Sequence, residues 1–321
     1  MFLRRRHVVP ALLALSAAAA VPASAAERII RIVVPYGPGA VQDTVARTFN
    51  AELGQALGAT VIVENRPGAG GTVGTSQVAK ATDNNTLVLA AASHTLAGHL
   101  YSKLDYDPIR NFTGIANIGN SGYVIAAPGN LGVNTLADYV KLVKSKPGQL
   151  NYASAGNGSA THLGMAYFLA KAGLQMQHVP MKSTGDAVNE VLAGRVQGVT
   201  ASLVGVTGFK NDPRIKLLAY TGTQRSKFLP DLPTVAEGGV QGYKFDSWIG
   251  VLAPSTMPKA EADKLNAAIN KVLQDPAVQQ RLATLGVEVA GNQSVEQFQK
   301  LLKDDYEQAS ALVKASGARI E

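Results

Sequence analysis

The sequence predicts two α/β lobes, each with a mostly parallel sheet, joined by two crossover strands. Short apolar segments alternate with segments of helical period, which is typical of βαβ units. A strand, a glycine-rich loop and a helix occur in this order at residues 29–47 and again at residues 150–172. The length of 321 residues also suits two domains, since one domain usually takes about 100 to 200 residues.

The order of the elements indicates that one lobe is inserted into the other. A first set of strands is predicted at residues 29–34, 60–64 and 86–91, and a second set begins at 123–127. A long strand at 245–253 and amphipathic helices at 259–273 and 295–314 follow that second set. We therefore expect one lobe at residues 26–120 and 246–321, a second lobe at 121–245, and crossovers near 117–122 and 245–250.

The first 25 residues predict a secretory signal peptide. Three arginines at positions 4–6 precede a short apolar run, and Ala23-Ser24-Ala25 has the small-x-small pattern of a cleavage site. Because the segment carries three arginines and no acid, its removal lowers the formal charge from +7 to +4. A mildly basic chain suits an acidic small ligand and equally an ordinary solvated surface. Together with the absence of cysteine, export indicates a periplasmic protein without disulfides.

Both glycine-rich loops lead into predicted helix starts, at residues 36–43 and 150–162. The first backbone N–H groups of a helix have no partner within the helix, and the aligned peptide dipoles add about half a positive charge there. Such an end binds anions. The sequence therefore predicts two anion-binding helix ends that face each other across a cleft.

Other chemistries fit the motifs less well. The turn at residues 68–74 has Val73 where a dinucleotide fingerprint needs its last glycine, and no phosphate-binding Gly-Lys-Ser or Gly-Lys-Thr occurs. The histidines show no metal-binding spacing. Ser159 lacks the flanking glycines of a nucleophile elbow and reads better as a helix N-cap. Asp43 and Arg47, four residues apart, predict an ion pair along the first helix.

Several separated motifs in the same order resemble the periplasmic solute-binding receptors of tripartite tricarboxylate transporters, the Bug receptors. The resemblance covers nearly all of the mature chain. The motifs that carry it are Ile32-Val33-Val34-Pro35-Tyr36-Gly37-Pro38-Gly39 with Asp43, residues 63–71, 104–108, 150–162 and 232–237, and Ser247-Trp248 leading to Ala253-Pro254.

The resemblance implies a Venus-flytrap receptor that holds a carboxylate through backbone amides and bridging waters. The ligand-binding residues it implies are Tyr36, Gly39, Ala40, Val41, Ser93, His94, Thr95, Asn157, Gly158, Ser159, Ala160, Thr161, Ser202 and Trp248. For Trp248, the core and the cleft wall both stay open. Many members carry an Asp after the strand that ends here at Ser202. Without that acid an ammonium lacks its obvious partner, which favours a plain or aromatic carboxylic acid over an amino acid.

We therefore predict a periplasmic receptor, and not an enzyme, that captures a small carboxylic acid and delivers it to a membrane permease. The acid is aliphatic or aromatic, with one to three carboxylates. We expect a monomer that binds no nucleic acid, cofactor or metal. Two alternatives stay open, namely an extracytoplasmic sensor that partners a signalling membrane protein, and a secreted hydrolase that uses Ser159 with His162 or His94.

Overall fold

The computed structural model describes residues 28–316, so the predicted signal peptide lies outside the described residues. The strands are β1 (Ile29–Val34), β2 (Thr60–Asn65), β3 (Thr86–Ala91), β4 (Phe112–Asn120), β5 (Tyr123–Pro128), β6 (Asn151–Ser154), β7 (Gln177–Pro180), β8 (Gly198–Ser202), β9 (Ile215–Tyr220), β10 (Trp248–Pro254) and β11 (Glu288–Val289). The helices are α1 (Val41–Leu57), α2 (Thr72–Ala79), α3 (Ser93–Leu100), α4 (Leu136–Ser145), α5 (Ala160–Ala172), α6 (Thr184–Leu192), α7 (Leu203–Thr207), α8 (Lys259–Leu273), α9 (Pro276–Thr284) and α10 (Val295–Ser316).

The strands form two sheets, which confirms the prediction of a two-lobed α/β fold. The first sheet has the order β11-β4-β10-β3-β1-β2, and the second has the order β7-β6-β8-β5-β9. Every strand of the second sheet lies between β4 and β10 in the chain. The helices α1, α8 and α9 cover one face of the first sheet with an apolar core that contains Phe49, Leu265 and Leu282.

The sheets are more mixed than the sequence suggested. In the described chain β1 pairs in parallel with β2 and β3, and β6 pairs in parallel with β7 and β8. The antiparallel pairs are β10 with β3 and β4, β5 with β8 and β9, and β11 with β4. The reason is the crossover itself: β5 and β10 enter their sheets from the other lobe, so each runs against neighbours that end at that edge.

The first crossover is short, since only Ser121 and Gly122 separate β4 from β5. The backbone N–H of Ser121 donates to the carbonyl of Ser247, which immediately precedes β10, at 2.8 Å. A Cβ atom on Gly122 would lie 2.1 Å from the hydroxyl of Tyr220, so only glycine fits at this point. The two passages between the sheets are therefore tied together, as expected near residues 117–122 and 245–250.

Helix α10 packs against both sheets. Phe298 and Leu302 in its first half join the apolar cluster of the first sheet. Ala309 and Val313 in its second half join a cluster formed mainly by α4, α5 and the second sheet, to which Leu96 of α3 also belongs. The sequence places all residues after 245 in the first lobe. These lobe boundaries stay a prediction, and α10, which lies after residue 245, also packs against the second lobe.

Candidate ligand-binding cleft

The two glycine-rich loops lie at sheet edges that face each other. Strand β10 begins at the crossover, and β3 and β1 run opposite to it, so both end at the crossover edge of the first sheet. Strand β5 also begins at the crossover, and β8 and β6 likewise end there in the second sheet. The loop after β1 (residues 35–40) and the loop after β6 (residues 155–159) are called the first and the second loop below.

The first loop leads into α1, whose start has no side-chain cap. Helix α1 begins at Val41, and its N-cap, Ala40, provides no side-chain hydrogen bond. The backbone N–H groups of Val41 and Gln42 have no hydrogen-bond partner among the described residues. Gly39 has a φ of +80°, which favours glycine. This end of α1 thus offers two N–H groups and the positive end of its dipole to an anion.

Asp43 stabilises the backbone conformation of the first loop. Its Oδ2 accepts from the backbone N–H of Gly39 at 2.9 Å, and its Oδ1 accepts from Arg47 Nε at 2.9 Å and Asn65 Nδ2 at 3.0 Å. The same Asn65 nitrogen donates to the carbonyl of Tyr36 at 3.0 Å. Burial raises the pKa of Asp43, but these donors outweigh it and the pKa lies below the ordinary value. The predicted pair with Arg47 is present, and Asp43 also positions the loop.

Tyr36 joins the first loop to two other loops. Its hydroxyl lies 2.8 Å from Ser93 Oγ at the start of α3, and it donates to the carbonyl of Gly70 at 3.1 Å. Gly70 belongs to the turn considered above as a dinucleotide motif; Gly68, Gly70 and Gly71 all have positive φ there. The glycines of this turn therefore serve its backbone conformation and its close packing against Tyr36.

The second loop delivers a helix start that is capped by side chains. Ser159 Oγ accepts from the N–H of His162 at 3.2 Å and donates to the carbonyl of Gly156 at 2.7 Å, which confirms Ser159 as the N-cap of α5. Thr161 Oγ1 accepts from the N–H of Ala155 at 2.8 Å. Within the described residues, the backbone N–H groups of Ala160 and Thr161 have no partner. Two amides are therefore available here as well.

Two stacked histidines support the second loop. The backbone N–H of Gly158 donates to His162 Nδ1 at 3.1 Å. The rings of His162 and His178 stack at 4.0 Å, and His178 Nε2 lies 2.6 Å from Ser154 Oγ. Burial, and then His178, lower the pKa of His162 to about 4. His162 is therefore neutral near pH 7, with Nδ1 as the acceptor that shapes the loop.

Three residues implied by the resemblance are buried in the first lobe and hydrogen-bonded to protein groups. His94 is buried, its Nε2 lies 2.7 Å from the carbonyl of Pro108, and burial lowers its pKa to about 4. Thr95 is fully buried and donates to the carbonyl of Ala92. Trp248 is buried and donates through Nε1 to Asp305 at 2.9 Å. These contacts give the three side chains structural roles, and their expected part in ligand binding stays a prediction.

The floor of the cleft contains residues that the motifs did not identify. Ser202, which the sequence did indicate, ends β8 opposite Tyr123, the first residue of β5. The buried hydroxyl oxygens of Ser202 and Ser121 have no partner among the described residues. Burial raises the pKa of Tyr123 to about 12, although a hydrogen bond with Ser247 lowers it. Tyr36 also raises this pKa. Tyr36 of the first loop is therefore near Tyr123 of the second sheet.

Ser159 does not form the pair with a histidine that a hydrolase would need, within the described residues. Ser159 Oγ contacts backbone groups and Thr161, and no histidine ring nitrogen in the described chain lies within hydrogen-bond distance of it. Within residues 28–316, no group of three His, Cys, Asp or Glu side chains is arranged to hold a metal ion. The described helices include none that is both long and apolar enough to cross a membrane.

Two α/β lobes with inward-facing helix starts define the class of two-lobed periplasmic binding proteins. Within that class, residues 45–318 match the family described as "Tripartite tricarboxylate transporter family receptor". The chain belongs to this family of periplasmic solute-binding receptors, which confirms the resemblance seen in the sequence.

Solved structures of similar proteins agree with this assignment. The periplasmic binding protein BugD is 33% identical with a TM-score of 0.83, over 92% of this chain and 99% of BugD. MatC from Rhodopseudomonas palustris, with bound malate, is 29% identical with a TM-score of 0.82, over 89% of this chain and 99% of MatC. A second R. palustris protein, with adipate, is 28% identical with a TM-score of 0.84, over 91% of this chain and 99% of that protein.

Proposed function

We propose that this receptor captures a small dicarboxylate between its lobes and delivers it to a membrane permease after cleavage of the signal peptide. The observation that carries the proposal is the pair of helix starts, where the amides of Val41 and Gln42 in one lobe and those of Ala160 and Thr161 in the other have no partner among the described residues. Each start suits one carboxylate. The malate and adipate bound by two related structures, both dicarboxylates, support this class of ligand.

The proposed contacts follow from the placement of the loops. Tyr36, Gly39, Ala40, Val41 and Ser93 contribute from the first lobe. Asn157, Gly158, Ser159, Ala160, Thr161 and Ser202 contribute from the second. Gly158 and Ser159 shape the backbone, whereas Asn157 is exposed at the tip of the second loop and free to contact ligand.

No acidic side chain of this set is available for an ammonium group. Asp43, the acid nearest to the first loop, already accepts three hydrogen bonds from Gly39, Arg47 and Asn65. A ligand with an ammonium would lose water around its charge without gaining a carboxylate partner. We therefore propose acids without an amino group, in agreement with the absence of an Asp at Ser202.

A thermal-shift panel tests the proposal. The mature protein is screened against monocarboxylates, dicarboxylates, tricarboxylates and acidic amino acids of matched chain length, and hits are titrated by calorimetry. We expect the largest shifts from dicarboxylates, because they can occupy both helix starts. A ligand at 100 times its Kd adds about 2.7 kcal/mol to the free energy of unfolding. A preference for acidic amino acids, or turnover of the ligand, would contradict the proposal.

A further inference from the structure

A second cavity of about 880 Å³ lies outside the candidate cleft. Its walls come from both lobes: Leu96 of α3, Tyr167 and Lys171 of α5, the segment that leads into β10, and the exposed side of α10. It shares no residue with the first or the second loop. Helix α5 contributes its last turns to this cavity, whereas its first turn faces the cleft.

The volume of the cavity lies within the range of small-molecule sites, about 300 to 1,000 Å³, and its lining is about half apolar and half polar or charged. Leu96, Phe245, Leu301 and Leu312 supply apolar surface from three different elements. An apolar side chain bound in the cavity would face these three elements.

The charged groups of the cavity fall into two kinds. The carboxylate of Asp305 accepts hydrogen bonds from Trp248 Nε1 and Thr95 Oγ1. Asp304 forms an ion pair with Lys300 at 2.6 Å. Asp246, in contrast, is half-buried and has neither a hydrogen bond nor an ion pair within the described chain. Burial raises the pKa of its carboxyl group above the ordinary value, although Lys244 opposes this rise.

Two cations in the cavity also lack a carboxylate partner. Lys244 and Lys171 form no ion pair with any described residue. The ammonium of Lys171 lies 5.6 Å above the centre of the Tyr167 ring, a cation–π contact that holds it at the wall of the cavity. The cavity therefore combines one carboxylate and two ammonium groups that have no ion-pair partner among the described residues with apolar surface from three elements.

We propose that this cavity is a second binding site for a small zwitterion with an apolar body, of the type of an apolar α-amino acid. The ligand's ammonium pairs with Asp246, its carboxylate pairs with Lys171 and Lys244, and its side chain packs against the apolar wall. The ligand class differs from that of the cleft, where Asp43 already accepts three hydrogen bonds.

Titration of the mature protein with L-phenylalanine tests the proposal, with 2-phenylethylamine and 3-phenylpropionate as analogues that each lack one charge. We expect saturable binding of L-phenylalanine, about tenfold tighter than either analogue, since a hydrogen bond to a charged group contributes about 1.5 to 3 kcal/mol. Equal binding of an analogue, or no saturable binding at millimolar concentration, would overturn the proposal.

Variants locate the site. Asp246→Asn should weaken L-phenylalanine binding about tenfold, whereas the matched Asp231→Asn, at an exposed acid outside the cavity, should not change it. Ala311→Trp fills the cavity from an exposed position on α10 and should abolish binding without disturbing the core. Gly39→Val, which alters the cleft, should leave it intact. Binding that survives Ala311→Trp but is lost in Gly39→Val would assign the amino acid to the cleft and overturn the proposal.

Discussion

The starts of α1 and α5 offer the same backbone groups to a ligand, but the chain builds them in opposite ways. At α1 the N-cap is Ala40, with no side-chain bond, and Asp43 holds the loop from within the helix. At α5 the N-cap is Ser159, and His162 and Thr161 bind the loop directly. The first loop is thus held through one buried carboxylate, and the second through a network of short neutral side chains.

This difference separates the groups that support each loop from the groups that are expected to bind the ligand. In both lobes the first two helical amides have no partner within residues 28–316. The loop amides before them do have partners, since Gly39 donates to Asp43 and Gly158 donates to His162. The supporting groups therefore position the amides, and the amides are expected to hold the ligand. Perturbations of the backbone should then lower affinity more than truncations of side chains.

The largest effect is expected from Gly158→Pro. Its φ of +74° is inaccessible to proline, and the substitution also removes the N–H that donates to His162. We expect the affinity for the dicarboxylate to fall about a hundredfold, since strain and a lost bond together amount to about 3 kcal/mol. Gly242→Pro is the control, because Gly242 has a similar φ of +69° but lies outside the cleft. Calorimetry that shows equal losses in both variants would contradict a local role for the second loop.

Asp43→Ala should have the next largest effect, on the first lobe alone. It leaves the N–H of Gly39 and the amide of Asn65 without their shared acceptor, so the loop loses its shape. We expect a loss of about 1 to 3 kcal/mol in the free energy of unfolding and about a tenfold lower affinity. Asp138→Ala, at a similar position in the first turn of α4, serves as the control for loss of a helix-start carboxylate. Unchanged ligand affinity in Asp43→Ala would show that the loop does not need this support.

The histidine pair predicts an acid-sensitive second loop. The pKa of His162 is about 4 in the folded protein against an ordinary value of 6.5, so the unfolded chain binds more protons between these values. Stability and affinity should therefore fall as the pH falls from about 6.5 towards 4. His162→Asn keeps an acceptor near the place of Nδ1 without titrating, and His162→Gln places its amide near Nε2.

Chemical unfolding and calorimetry across that pH range check this prediction. The wild type should lose more than His162→Asn on acidification, because the carboxylates and His178 titrate in both proteins. His162→Gln should have lower affinity than His162→Asn at neutral pH, since it does not restore the acceptor for Gly158. Parallel pH profiles of the wild type and His162→Asn would contradict the prediction.

The smallest effect is expected from Ser159→Ala. It removes the cap of α5 and should cost about 0.5 to 2 kcal/mol of stability, with only a few-fold loss of affinity because the amides of Ala160 and Thr161 remain. Thr135→Ala removes the comparable cap of α4 away from the cleft and sets the scale for stability. Complete loss of binding in Ser159→Ala with normal folding would show that the hydroxyl itself holds the ligand.

Local patterns identified much of this structure from the sequence. The amphipathic period at residues 259–273 matches α8 residue for residue, and the position of Ser159 before a helix identified the cap. The first crossover lies where the strand pattern changes character, between β4 and β5. These features depend on near neighbours in the chain, which is why periodicity and spacing predict them.

Contacts between distant residues could not be read in this way. Trp248 lies in the core because its indole meets Asp305, which follows it by 57 positions, and His94 lies there because the carbonyl of Pro108 meets its ring. The use of the Gly158 amide by His162 depends on a ring orientation that His178 stabilises. The direction of β5 and β10 follows from the passage between lobes, and short βαβ patterns do not contain that information.

Amide chemical shifts provide the most direct test of the two helix starts. In ¹⁵N-labelled mature protein, titration with the acid that gives the largest thermal shift should move the amide protons of Val41, Gln42, Ala160 and Thr161 downfield, as expected for new charge-assisted hydrogen bonds. The amide of Gly158, already bonded to His162, should move less. Saturable binding that leaves these four amides unchanged would contradict the claim that backbone groups of both lobes hold the carboxylates.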